Sequence, residues 1–216
     1  MKNICILLLV FTPIILFGQE TKRIKNKVEQ ETYYVLESDE SIKHGAYQKN
    51  YRGGSVMVNG FYKNGVKDGL WEFFDYKGVL DQKFDYSKHE IVFYNCDDKC
   101  RERKFVLSGP DTNKVAVDRP PLFIGGEPMM FDPILRNIKY PAKARENEIT
   151  GTVYISFIID KKGNAINHTV VRGVGGGCDE EALRVVKSIP DNWLPAIQNG
   201  EPVEVFYNMP INFTLK

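Results

Sequence analysis

Four kinds of residue in this chain could do chemistry: cysteines, histidines, clustered carboxylates and a run of glycines. Cys96 and Cys100 flank Asp97-Asp98-Lys99, near enough for a local disulfide in an oxidising compartment, and such a pair could also be half of a metal site. Zinc asks for four ligands. His44, His89 and His168 stand at no convincing ligand spacing, so the pair reads as a disulfide or as free thiols, with no metal and no cofactor. Cys178 is then left over as a small buried residue. His168 could act as a base, but the sequence sets no nucleophile or carboxylate beside it, and a half-exposed strand histidine is the plainer reading. Gly173-Val174-Gly175-Gly176-Gly177 precedes a helix and tempts a phosphate-loop reading, yet position 178 is Cys and no Gly-Lys-Ser/Thr end follows. Asp179, Glu180 and Glu181 fill the next helical turn, where they suit the helix dipole and repel a phosphate. The glycines are expected to permit a sharp strand-to-helix turn. No Ser/His/Asp or Cys/His set and no paired carboxylates in an apolar setting can be assembled, so the chain is expected not to be an enzyme.

The elements that would position any other function lie in the last third, Tyr140 to Lys216. Tyr140-Pro141 starts a short helix, with Pro141 in the first turn where its missing N–H costs nothing. Val153, Ile155, Phe157 and Ile159 alternate with more polar residues as a strand with one apolar face. Asp160 to Asn164 is turn chemistry, with Gly163 at the left-handed position, and Ile166 to Val171 returns as the partner strand. Ala182, Leu183, Val185, Val186 and Ile189 form a helical stripe ended by Pro190. The final strand is read over Val203 to Leu215. Its odd positions Val203, Val205, Tyr207, Met209, Ile211, Phe213 and Leu215 are apolar or aromatic, and its even positions are mostly polar. Pro210 has no N–H for a ladder, which argues for an edge strand or a bulge, and a long edge strand is a docking surface.

Length and composition set the frame. The 216 residues have room for one large domain or two small ones, and a formal net charge of +1 with 26% charged residues gives no electrostatic reason to expect nucleic acid or an anionic membrane as partner. Residues 1–18 read as a signal peptide: Lys2, an apolar run from Ile4 to Phe17, and cleavage after Gly18. The alternative is an uncleaved membrane anchor. A helix of that run spans roughly 21 Å against a hydrocarbon core of about 30 Å. Residues 19–43 read as a tether and first strand. From 44 to 107 glycines and aromatics recur: His44-Gly45-Ala46-Tyr47 returns as Asp68-Gly69-Leu70-Trp71, 24 residues on, and the same shift carries Gly54 onto Gly78. Successive β-hairpins follow from that period, with Phe84-Asp85-Tyr86 and Ile91 to Tyr94 as one more. Residues 108–128 hold Gly109-Pro110, Pro120-Pro121, Gly125-Gly126 and Pro128 and read as a linker. Beyond it, Pro133 to Ile138 has apolar spacing for about two helical turns, and residues 129–216 form the second domain.

Two resemblances add to this reading. Gly45 to Tyr86 resembles a degenerate MORN-type repeat of about two copies, of the kind found as structural or interaction modules in bacterial envelope proteins. The motifs Tyr140-Pro141-Ala142-Lys143-Ala144-Arg145, Gly151 to Phe157, Val171 to Ala182, Trp193-Leu194-Pro195-Ala196, Gln198-Asn199-Gly200 and Pro210-Ile211-Asn212-Phe213 together resemble the C-terminal domain of TonB-family energy transducers, in the form common in Bacteroidetes-like bacteria. That resemblance implies an α+β fold: a C-terminal ββαβ domain with a short leading helix, beside an N-terminal antiparallel β-meander. It implies a periplasmic protein that docks the N-terminal box of an outer-membrane TonB-dependent transporter by adding a strand to its own sheet edge. The residues expected to bind are Tyr140, Pro141, Val205, Tyr207, Met209, Ile211 and Phe213. An inner-membrane proton-channel complex is a further expected partner if the leader is a retained anchor. The apolar run is short, and the long Pro- and Lys-rich spacer of that family is missing, so docking is expected without direct pulling. The other reading is a non-catalytic envelope scaffold whose repeat sheet binds protein.

Overall fold

A computed structural model describes residues 19–96, 104–107 and 114–215 of the chain. The expected leader and Cys100 lie outside the described residues. Cys96 is disulfide-bonded, and Cys178 is a free buried thiol.

Seven strands in chain order form one antiparallel meander: β1 (Thr21–Asn26), β2 (Glu31–Leu36), β3 (Asp39–Asn50), β4 (Val56–Lys63), β5 (Val66–Phe74), β6 (Leu80–Asp85) and β7 (Glu90–Tyr94). The expected hairpins are all present, and the sheet is larger than two repeats would make it. The tether reading does not hold over Thr21–Asn26, which pairs with β2 from Thr21↔Leu36 to Asn26↔Glu31. Lys22, Arg23 and Lys25 hid this strand, because an edge strand is held by its backbone and its charges guard the open side.

The 24-residue repeat has a direct structural counterpart. Gly54 and Gly78 both take positive φ (90° and 79°) and close equivalent turns, Gly54 N–H to Tyr51 C=O and Gly78 N–H to Asp75 C=O, each at 2.9 Å. Tyr47 and Trp71, one period apart, stack with ring centroids 5.3 Å apart. Between them lies Gly60, paired with Tyr47 in register; a Cβ there would sit 2.2 Å from the indole Cδ2 of Trp71.

The second half continues with β8 (Lys104–Val106), β9 (Lys114–Ala116), β10 (Leu122–Phe123), α1 (Gly126–Asn137), α2 (Ala142–Glu146), β11 (Gly151–Ile159), β12 (Ala165–Arg172), α3 (Cys178–Val186), β13 (Trp193–Leu194), β14 (Ala196–Gln198), β15 (Glu201–Val203) and β16 (Val205–Phe213). Its main sheet has the order β12-β11-β16, with the Asp160-to-Asn164 turn joining β11 to β12 as expected. The final strand is shorter than its sequence pattern, since Glu201–Val203 pairs separately with β14. Two further differences concern residues 108–138. The stretch read as a linker contains β10, which pairs with β13, and the helix expected over Pro133 to Ile138 begins at Gly126. Pro133 concealed its first part: it forfeits one internal hydrogen bond, and Met130 and Ile134, both buried, still hold the segment against the core.

The two halves share their packing. Val153, Ile155, Phe157 and Ile159 of β11 form a core with Ala182, Val185 and Val186 of α3 and with Met130 and Ile134 of α1. Ile124 and Leu194, from the second half, complete the cluster built on Tyr47, Val58, Trp71, Phe73 and Phe84 of the meander. A buried side chain joins them too: Gln82 on β6 donates from Nε2 to the Phe123 carbonyl, and its Oε1 accepts the Gly125 N–H, both at 2.9 Å.

Candidate docking edge

β16 pairs with β11 along its full length, from Gly151↔Phe213 to Ile159↔Val205. Its other side carries one bridge, Leu107↔Val205, at the strand's beginning. Toward Phe213, no further strand pairs with that side among the described residues. The expected alternation is present, and it decides what the strand can offer. Val205, Met209, Ile211 and Phe213 are buried at 0%, 1%, 4% and 2% exposure, and Tyr207 packs on Phe157 and Trp193 with centroids 5.4 and 5.0 Å away. These side chains are core and face α1 and α3. What the strand presents outward is its backbone edge, together with the side chains of Phe206, Asn208, Pro210 and Asn212 on the opposite sheet face. The same alternation, taken in its other phase, marks those four residues in the sequence.

Pro210 fixes which backbone groups face the opening. The register runs unbroken through Tyr154↔Pro210. A nitrogen without hydrogen fits such a ladder only when it points away from the partner strand. The N–H and C=O of one residue point to the same side of a strand, and the side alternates. Phe206, Asn208 and Asn212 therefore share the open side with Pro210, and Asn208 and Asn212 supply its donors beyond the Leu107 bridge. Thr152 Oγ1 donates to Asn212 Oδ1 at 2.5 Å and holds that side chain back over the sheet.

Tyr140 and Pro141 sit at the far end of this strand. The Tyr140 hydroxyl donates to the Ile149 carbonyl at 2.6 Å, and its ring meets Phe213 edge-on at 5.7 Å. Burial and the neighbouring Cys178 raise the Tyr140 pKa above its ordinary value, so it stays a donor at neutral pH. Pro141 caps α2 and lies against Gly177, where an added Cβ would be 3.2 Å from the Pro141 Cβ. The pair thus ties the entry of β11 to the exit of β16. The structure brings Tyr140 to Phe213, while Val205 lies at the other end of the strand.

The glycine run is explained by the same neighbourhood. Asp179 Oδ1 accepts the N–H groups of Val174 (2.8 Å) and Gly175 (3.2 Å). The chain's own carboxylate thus occupies the place a phosphate would need. Gly176 has φ +66°, and a Cβ there would come within 2.7 Å of Ile149. His168 is half-buried on β12 with its ring stacked on Phe157 at 4.8 Å; burial lowers its pKa, with Lys187 adding to the effect and Asp191 opposing it.

The arrangement is a small antiparallel sheet, covered on one face by helices, with an edge strand that among the described residues is left open along most of its length. Residues 136–215 match the family model of the Gram-negative bacterial TonB protein C-terminal, which supports a TonB-family C-terminal domain over that stretch. No curated protein and no solved structure gives a significant match to the chain. Among the described residues no helix is long and apolar enough to cross a membrane.

Proposed function

We propose that this chain is a non-catalytic, periplasmic TonB-like protein that docks the N-terminal box of outer-membrane TonB-dependent transporters by strand addition to the open edge of β16, in support of energy-coupled transport. The carrying observation is that edge: a nine-residue strand, paired along its length with β11 and by one bridge on its other side among the described residues, within a segment matching the TonB C-terminal family. In this mode backbone hydrogen bonds give the affinity and alternate side-chain pockets the selectivity. We read Tyr140 and Pro141 as positioning residues that hold the strand's end, and Asn208, Pro210 and Asn212 as the groups an incoming strand meets. The meander is read as a MORN-type module that braces the docking domain, consistent with Ile124 and Leu194 in its core.

Asn208→Pro and Asn212→Pro test the proposal. Each removes a donor from the open side, adds a ring where a strand would lie, and leaves the β11 ladder untouched. Binding to synthetic peptides from the N-termini of the bacterium's own TonB-dependent transporters should weaken by about tenfold or more, at about 1 kcal/mol for each lost bond plus the clash. Melting temperature should change by only a few degrees. Folded variants that bind these peptides as well as the unaltered chain would refute docking at this edge.

A further inference from the structure

The 24-residue repeat returns more than turn glycines. Lys43 comes back as Lys67, Tyr47 as Trp71 and Tyr62 as Tyr86, and the fold gathers these side chains on one face of the meander. The Lys43 ammonium lies over the rings of Tyr33, Tyr47 and Tyr62, at 4.4, 5.0 and 5.3 Å from their centroids. The Lys67 ammonium lies over Trp71 and Tyr86, at 4.6 and 4.7 Å. Tyr62 joins the two sets: it pairs with Lys67 in register, and its ring meets those of Trp71 and Tyr47 at 5.1 and 5.5 Å. Both lysines, Tyr62 and Tyr86 are half-buried, so the cluster is neither sealed in the core nor free in solvent. Turn geometry explains the repeated glycines but not the repeated lysines.

Donors and acceptors do not balance on this face. Lys67 has no carboxylate within ion-pair distance among the described residues, and its ammonium donates to the Tyr86 hydroxyl at 3.1 Å. Burial first, and then the Lys43 ammonium, push Lys67 down to about 8. Lys43 pairs with Glu31 at 3.8 Å, a carboxylate that also accepts the Tyr47 hydroxyl at 2.7 Å and pairs with Lys49 at 3.7 Å. One acid is thus shared among three donors. The Tyr62 hydroxyl makes no hydrogen bond among the described residues, and the Tyr86 hydroxyl, which accepts from Lys67, keeps its own hydrogen to donate. Burial raises the pKa of both tyrosines, so they remain donors at neutral pH. A half-buried ammonium beside a second cation is costly, and an oxyanion held between them offsets that cost.

We propose that this face of the meander binds a phosphate group, with Lys43 and Lys67 as its cations and the hydroxyls of Tyr62 and Tyr86 as further donors. The four come from separate places: Lys43 on β3, Tyr62 on β4, Lys67 on β5 and Tyr86 just after β6. Donors spread over four neighbouring strands suit a tetrahedral anion better than a flat carboxylate, and lysine serves phosphate as a point charge. Free phosphate and a phosphate monoester on a sugar present the same terminal oxygens to these groups. The site lies on the meander, so it stands or falls apart from docking at β16.

Calorimetric titration of the full chain at low ionic strength tests this with inorganic phosphate, glucose 1-phosphate and acetate. At least one of the two phosphates should bind saturably with Kd below about 5 mM, and acetate about tenfold or more weaker. Tighter binding of the glucose ester assigns the phosphate to a saccharide; equal or tighter binding of inorganic phosphate assigns it to the free ion. Lys67→Met should weaken the phosphate about tenfold. Tyr62→Phe should weaken it severalfold, and because it keeps the ring it tests the site even if Lys67→Met disturbs folding. The proposal is overturned if neither phosphate saturates below about 5 mM. It also fails if acetate binds equally well, or if the folded Lys67 and Tyr62 variants bind unchanged.

Discussion

Replacing Gln82 by leucine should uncouple the two halves of this protein at small cost in packing. Leucine nearly preserves the volume of a side chain that is 4% exposed, so the cavity term is small. What disappears is the double hydrogen bond to Phe123 C=O and Gly125 N–H, both at 2.9 Å. Two backbone groups are then left buried without partners, and each costs about 1–3 kcal/mol, or about 2–6 kcal/mol together. For a chain of this size each kcal/mol is about 2–4 °C in melting temperature, so a fall of roughly 4–24 °C is expected. Trp71 belongs to the core of the meander and Trp193 to that of the second half, so single-tryptophan versions report each half separately. Both reporters should show the loss, because the bridge lies between them. A Gln82→Leu protein within about 0.5 kcal/mol of the unaltered chain would refute the reasoning, since the orphaned groups must then find other partners.

Further predictions concern the meander. Gly60→Ala drives a methyl into an indole that is 1% exposed and hydrogen-bonded from Nε1 to the Phe61 carbonyl at 3.1 Å, so it should cost about 2–3 kcal/mol in urea unfolding. Burial first, then Glu127 and Asp75, pushes Asp81 up to about 6 in the folded chain. Its native pKa thus lies above the unfolded value, the native state binds the proton more tightly, and ionisation costs stability as pH rises from about 4 to about 6. Asp81→Asn should flatten that part of the stability–pH profile and raise stability above about pH 6, as read from urea midpoints on either side of the window.

Much of the local structure was legible in the sequence because its causes are local. Alternation in β16, the Asp160-to-Asn164 turn and the apolar stripe of α3 follow from backbone periods that a few neighbouring residues impose. The repeat was readable because Gly54 and Gly78 serve the same turn twice. β1 and the part of α1 before Pro133 were not, since a charged edge strand has no apolar period and Pro133 interrupts the helical signature of a segment held by packing. The edge strand was half legible. The alternation that singles out Val205, Met209, Ile211 and Phe213 also buries their side chains, and it leaves Asn208, Pro210 and Asn212 exposed.

The sequence by itself determined which residues of the last strand share a face and where the turns lie. Only the tertiary structure decided which side of β16 stays open, that Tyr140 closes on Phe213 and that Gln82 bridges the halves. The physical reason is distance along the chain. A strand's faces are set by its own period of two, but its free edge depends on which other strands pair with it. Gln82 lies 41 residues from Phe123, and nothing local in either segment announces the bond between them.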